Sequence, residues 1–132
     1  MTLVFDTSLL IEIEKRNKAV IEKLKEYMEL YPAAPQITFM NYFEFYDGIQ
    51  GKQLHNKEKA LAFINNFNMI NIIKKTGETL SGLKRKYEKL GNIIPLADLM
   101  IASQVIENNL ILVTLDKDFE RIEEMNKIIL SI

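Results

Sequence analysis

The sequence predicts an α/β fold, with a short central parallel sheet flanked by helices. Two apolar runs rich in strand formers, Leu3 to Phe5 and Leu110 to Thr114, stand near the two ends of the chain. Between them lie amphipathic segments of helical period, separated by breaks marked with Pro or Gly. Strands that alternate with helices pair in parallel, because parallel neighbours need a helical crossover. At 132 residues and 48% hydrophobic content the chain can fill one core and is short for two, so residues 1–132 read as one domain.

Each element has its own signal. Leu3 to Phe5 opens the sheet, and Asp6, Thr7 or Ser8 can cap the helix behind it. Leu9, Leu10 and Ile13, then Val20, Ile21, Leu24 and Met28, keep a helical period with a break near Asn17. Pro32 and Pro35 end the second helix, since neither fits a helix interior. Gln36 to Phe39 reads as a second strand, and Asn41 to Gln50 as an aromatic-rich helix that stops at Gly51. An amphipathic helix follows from Asn56 to Asn68, and Met69 to Ile73 is a strand candidate. Thr76 or Gly77 opens a helix on Leu80, Leu83, Tyr87 and Leu90 that ends near Gly91. Pro95 suits the first turn of a helix through Glu107. Leu110 to Thr114 has the continuous apolar character of a strand buried on both faces, and Lys127 to Leu130 is a last short strand.

Composition narrows the function classes. Lys and Arg number 17 against 18 Asp and Glu, so no global field draws the protein to nucleic acid or to an anionic membrane; a polyanion needs a local cationic grip. The absence of cysteine excludes disulfides, thiolate metal sites and cysteine nucleophiles. MTLVFD has no basic segment before its apolar run and does not resemble a signal peptide, and Asn65, Asn66, Asn68 and Asn71 interrupt the most hydrophobic central stretch. The expectation is a cytoplasmic protein with no membrane span.

Four carboxylates stand where a solvated charge has no need to be. Asp6 ends the first strand, and Asp116 follows LILVT, with Asp118 two residues on. Glu44 interrupts the aromatic run FMNYFEFY, and Asp98 lies close behind Pro95 in IIPLADLMIAS. Taken singly, Asp6 and Asp116 read as helix caps, Asp98 as a complement to a helix dipole, and Glu44 as a carboxylate turned to solvent from a helix edge. Asp6 and Asp116 fall at the carboxyl ends of strands in a parallel sheet, where ligands gather, and the combination with an acid ahead of an IAS helix and one on an aromatic face points to a site. Carboxylates brought together repel, and a cation relieves that repulsion. Oxygen donors without cysteine select Mg²⁺ or Mn²⁺ over zinc. Phosphodiester hydrolysis is the natural chemistry, with one or two metals lowering the pKa of a water and stabilising the leaving oxygen.

In this order and spacing, VFDTSLL, the Glu44 helix, PLADLMIAS and LVTLDKDF resemble the motifs of the PIN-domain ribonucleases, and among them the small VapC-like toxins of toxin-antitoxin pairs. The resemblance spans residues 2 to 119. It implies a PIN-like three-layer fold and a metal-dependent endoribonuclease in which Asp6, Glu44, Asp98 and Asp116 surround Mg²⁺ or Mn²⁺. It also implies hydroxyl support from Thr7, Ser8 and Thr114, an RNA substrate, a homodimer, and a cognate antitoxin that blocks the site. Two departures bear on the assignments: Ser103 stands where a second small residue is usual, and TLDKDF offers both Asp116 and Asp118 to the metal. Asp116 is preferred because it directly ends the strand segment.

Other residues have simpler assignments. His55 is a lone histidine in a polar stretch, read as solvated surface. KRKYEK places Lys84, Arg85, Lys86 and Lys89 around Tyr87; the period shared with Leu80 and Leu83 assigns Tyr87 to the core, and the alternative is a ring that stacks on an RNA base. The rings from Phe39 to Tyr46 suit either core packing or a groove for a helical antitoxin tail. Two rival functions remain at this level. A phosphoryl-transfer protein of the haloacid-dehalogenase type wants a second aspartate where Ser8 stands, and a non-catalytic PIN-like module binds RNA or protein without cutting.

Overall fold

The computed structural model describes residues 1–132. Its elements run β1 (Leu3–Phe5), α1 (Thr7–Glu14), α2 (Lys18–Leu30), β2 (Gln36–Ile37), α3 (Phe39–Ile49), α4 (Leu54–Ile64), β3 (Asn68–Met69), α5 (Lys74–Lys89), α6 (Leu96–Glu107), β4 (Ile111–Thr114) and β5 (Lys127–Ile129), with a short 3-10 turn at Lys117–Arg121. No helix is long and apolar enough to cross a membrane.

All five strands are parallel, in the order β3-β2-β1-β4-β5. The first strand is therefore the middle one. From it the chain winds outward to β2 and β3 on one side, then returns to build β4 and β5 on the other. The two windings part between β1 and β4, where Phe5 pairs with Val113. In such sheets the crevice beyond the carboxyl ends at this parting is the binding position.

Strand alternation divides the core into two layers. Leu3, Phe5, Ile111 and Val113 point to one face and pack with Leu9 and Leu10 of α1, Val20 and Leu24 of α2, Phe45 and Ile49 of α3, and Ala60 and Ile64 of α4. Val4 and Leu112 point to the other face and pack with Leu83 and Tyr87 of α5 and with Leu99, Ile101, Ala102 and Val105 of α6. Both faces of β1 and β4 are thus covered, as expected for a parallel sheet.

Several boundaries differ from the sequence reading, for physical reasons. Phe39 opens α3 instead of ending β2, because Thr38 and Asn41 form a reciprocal capping box that turns the chain into a helix one residue after Ile37. β2 is then only two residues long, so β3 has no ladder beyond Met69: Ile70 N–H still reaches the Ile37 carbonyl at 2.8 Å, and the chain leaves the sheet with Ile72 and Ile73 exposed. α4 begins at Leu54 and ends at Ile64, which places His55 exposed in its first turn instead of in a loop. α5 starts at Lys74, before Thr76. It closes in a left-handed Gly91 (φ 76°), with the Gly91 and Asn92 N–H groups bonded back to Glu88 and Tyr87, a role that suits glycine because it has no Cβ. Leu90 and Met28, placed on apolar stripes by their period, are exposed.

Candidate active site

β1 delivers Asp6 to the crevice. The Asp6 N–H bonds the Val113 carbonyl at 3.0 Å, which carries the β1–β4 ladder one step past the last strand residue. Asp6 occupies the N-cap position of α1, yet its side chain caps no helix N–H. Its carboxylate is only 4% exposed and accepts three side-chain donors instead: Thr114 Oγ1 at 2.6 Å and Ser8 Oγ at 3.1 Å on Oδ2, and Asn41 Nδ2 at 3.1 Å on Oδ1. Burial raises the Asp6 pKa, and the hydrogen bonds from Thr114, Ser8 and Asn41 partly oppose that rise.

Around Asp6 the polar groups form a connected chain. Asn41 is fully buried, and its Oδ1 accepts both Thr38 N–H and Thr38 Oγ1, which leaves its Nδ2 to donate to Asp6 and to Thr7 Oγ1. Thr7 Oγ1 in turn donates a hydrogen bond to Glu44 Oε1 at 2.6 Å. The half-buried Glu44, for which the neighbouring sequence offers no cation, is anchored by a hydroxyl. Ser8 Oγ accepts the Leu115 N–H and meets Thr114 Oγ1 at 3.3 Å, and Thr114 Oγ1 accepts the Asp116 N–H at 3.0 Å. All three supporting hydroxyls therefore touch the acids or the turn that carries them.

Asp98 sits half-exposed in the first turn of α6. Its pKa is raised to about 6, by burial first and then by the charges of Asp116, Asp6 and Glu44, opposed by Arg121. Asp118 is exposed, and it reaches the site through its backbone: its N–H donates to Asp116 Oδ1 at 2.9 Å, so Asp116 caps the 3-10 turn.

Asp6 is buried, and Glu44, Asp98 and Asp116 are partly exposed. None of the surface clefts is lined by Asp6, Glu44, Asp98 or Asp116. A cleft of about 260 Å³ shares α6 with Asp98 but is walled by Tyr87, Ile94, Leu96 and Leu99. No group of three or more His, Asp or Glu side chains stands close enough together to hold a metal ion. Mg²⁺ does not require such a group, because it is commonly held by one or two carboxylates, with water and substrate oxygens completing the shell. The all-oxygen donors and the raised Asp98 fit such an ion.

A family model described as the PIN domain matches residues 3–125. The chain belongs to the PIN domain family. This PIN domain is 30% identical over 103 residues to Ribonuclease VapC3 of Methanocaldococcus jannaschii, covering 78% of this chain and 97% of that one. It shares its fold with VapBC2 from Rickettsia felis, solved bound to a DNA fragment from their promoter, at a TM-score of 0.85 and 24% identity over 99% of this chain and 100% of that one. VapBC-1 from nontypeable Haemophilus influenzae is similar at a TM-score of 0.81 and 22% identity, over 98% of each chain.

Two buried residues of this PIN domain escaped the sequence reading. Asn41 is one, and its signal was the spacing of Thr38 and Asn41, a polar pair at capping distance ahead of an aromatic run. Gln104 is the other: its Oε1 accepts the Phe39 N–H and its Nε2 donates to the Ile70 carbonyl, both at 3.0 Å. It fastens the start of α3 and the exit of β3 to α6, which fixes the helix of Glu44 against the helix of Asp98. Tyr87 is core, as its period indicates. Its hydroxyl bonds Glu124, which also pairs with Lys86, so the ring is not available to stack on a base. The aromatic run divides: Phe45 packs inward, while Phe39, Phe43 and Tyr46 are exposed.

Proposed function

We propose that the protein is a Mg²⁺- or Mn²⁺-dependent endoribonuclease and the toxin of a toxin-antitoxin pair. The observation that carries the reading is the hydrogen-bonded array at the parting of the sheet, where Thr114, Ser8 and Asn41 hold the buried Asp6 carboxylate, Thr7 holds Glu44, and Thr114 accepts the Asp116 N–H. Similarity to a protein named Ribonuclease VapC3, and a fold shared with VapBC assemblies, support it.

In this reading the ion would be held by one or two of Asp6, Asp98, Asp116 and Glu44 directly and by the others through water. When bound, it supplies a water of lowered pKa and offsets charge on the phosphodiester. Asp6 is held in orientation by Thr114, Ser8 and Asn41, and Glu44 by Thr7. Asp98, with a pKa of about 6, is already largely ionised at neutral pH, and a bound cation would favour that form further. Asp118 contributes its backbone N–H to Asp116 and leaves its own carboxylate in solvent. The exposed Phe39, Phe43 and Tyr46 on the helix of Glu44 support an apolar contact with an antitoxin. The working form is a cytoplasmic homodimer.

The deciding experiment is cleavage of a mixed structured RNA pool with Mg²⁺, Mn²⁺ or EDTA, beside Asp6→Asn and Asp98→Asn. Metal-dependent cutting, lost in both folded variants, is expected. The open spacing of the acids favours one second reading, a PIN-like module that binds RNA or protein without cutting. Metal binding with no turnover on any RNA would identify it.

A further inference from the structure

Arg121 closes the 3-10 turn that follows Asp116. Its Nε donates to the Asp118 carbonyl at 3.1 Å and its Nη1 to the Ile93 carbonyl at 3.5 Å. The guanidinium thereby bridges two segments that flank the acids, the turn after β4 and the loop that leads into α6. Both of these partners are neutral. The ion pairs of the molecule engage Lys23, Lys52, Lys84 and Lys86, and none engages Arg121. The side chain is exposed, and its positive charge reaches Asp98, where it opposes the three neighbouring carboxylates.

This arrangement answers a difficulty in the reading above. A polyanion must approach an edge lined by four carboxylates, on a protein whose net charge of -1 offers no general attraction. A fixed cation at the rim is the remedy. A guanidinium carries five N–H donors in a rigid fork, and two hydrogen bonds to carbonyls set its plane without neutralising its charge. The remaining donors point to no other protein acceptor. Lysines such as Lys84 and Lys86 are already paired, with Glu88 and Glu124.

We propose that Arg121 is a substrate-binding residue that grips a backbone phosphate of single-stranded RNA beside the carboxylate edge. The proposal rests on the ribonuclease reading. Its test measures binding apart from cleavage: anisotropy of a labelled, mixed-sequence oligoribonucleotide, with Mg²⁺ present, on a Glu44→Gln background, over a series of salt concentrations. Arg121→Gln keeps an amide that can donate to the carbonyls and loses the charge. It is expected to weaken binding about tenfold, and to reduce the slope of log K against log salt by about 0.7, the value of one single-strand phosphate contact. Arg121→Lys is expected to retain the slope. If Arg121 only braces the two loops, Arg121→Gln shifts the melting temperature and leaves the salt slope unchanged, which overturns the proposal. If the background protein binds no RNA and the wild type cuts none, the ribonuclease reading falls and this proposal falls with it. RNA cutting by the wild type, with an unchanged slope in Arg121→Gln, removes this proposal alone.

Discussion

Asn41 donates to Asp6 at 3.1 Å across 35 positions of sequence, and with its other atoms ties Thr38 and Thr7 into the same buried network. Replacing Asn41 by Ala leaves the Thr38 donors and one oxygen of Asp6 without partners. A loss of about 2 to 3 kcal/mol is expected, read as a lower denaturant midpoint at unchanged slope. A loss below about 0.5 kcal/mol would mean that water replaces the amide.

Thr114 donates to Asp6 and accepts from the Asp116 N–H, so its hydroxyl couples the ends of β1 and β4. Thr114→Val keeps the shape and removes both bonds. Metal affinity is expected to fall about tenfold or more, as for other groups that orient a metal ligand. Calorimetric titration with Mn²⁺ measures it, and an unchanged affinity would show that Asp6 is oriented by Ser8 and Asn41 alone.

The pH dependence of stability follows from Asp98. Its pKa of about 6 in the fold lies above the ordinary 3.8, so the folded protein binds this proton more tightly than the unfolded chain does. Stability then falls as pH rises from about 4 through about 6. The full displacement corresponds to roughly 3 kcal/mol, and water around a half-exposed side chain leaves about 1 kcal/mol of it. Melts in EDTA across this window are expected to show the decline, and Asp98→Asn to reduce it to the part contributed by Asp6, whose pKa is also raised. A decline of equal size in Asp98→Asn would assign it to another group.

Metal addition reverses the same trend. Stabilisation by Mg²⁺ is expected to grow between about pH 5 and 7, because the ion binds the ionised carboxylates and not their protonated forms. A melting shift independent of pH would place the ion elsewhere.

Asp116 and Asp118 separate cleanly by exposure and contact. Asp116→Asn is expected to lower RNA cleavage by at least about a hundredfold, in the range seen when an electrostatic group of a catalytic site is removed. Asp118→Asn keeps the backbone N–H that serves Asp116 and is expected to stay within about threefold of wild type, since a solvated charge contributes little. Equal losses in both variants would bring the Asp118 side chain into the site.

The strands that carry Asp6 and Asp116 were legible in the sequence because they are buried on both faces, and burial on both faces writes a continuous apolar run. The stretch Met69 to Ile73 has the same look with a different outcome: Ile72 and Ile73 are exposed, because the helix cap at Thr38 cuts short the strand they would have paired with. Apolar content cannot report a missing neighbour. The four acids were singled out by position: Asp6 and Asp116 each follow a strand, Glu44 interrupts an aromatic run, and Asp98 lies close behind Pro95 at a helix start. Asn41 and Gln104 were not, since an amide inside a helix reads as surface until the tertiary structure shows what it bonds. Arg121 was hidden for the same reason, in a turn that reads as solvated charge.

The central position of β1 also sets when the protein can become active. Leu3 to Phe5 emerge early in synthesis, yet Phe5 pairs with Val113 and Asp6 accepts its shortest hydrogen bond from Thr114. The middle of the sheet must wait, unpaired on one side, for a strand made 108 residues later. Long-range parallel pairing of this kind forms late and slowly. A ribosome carrying all but the last part of this chain therefore holds no assembled acidic edge, and a truncated product ending before β4 is expected to lack the site altogether.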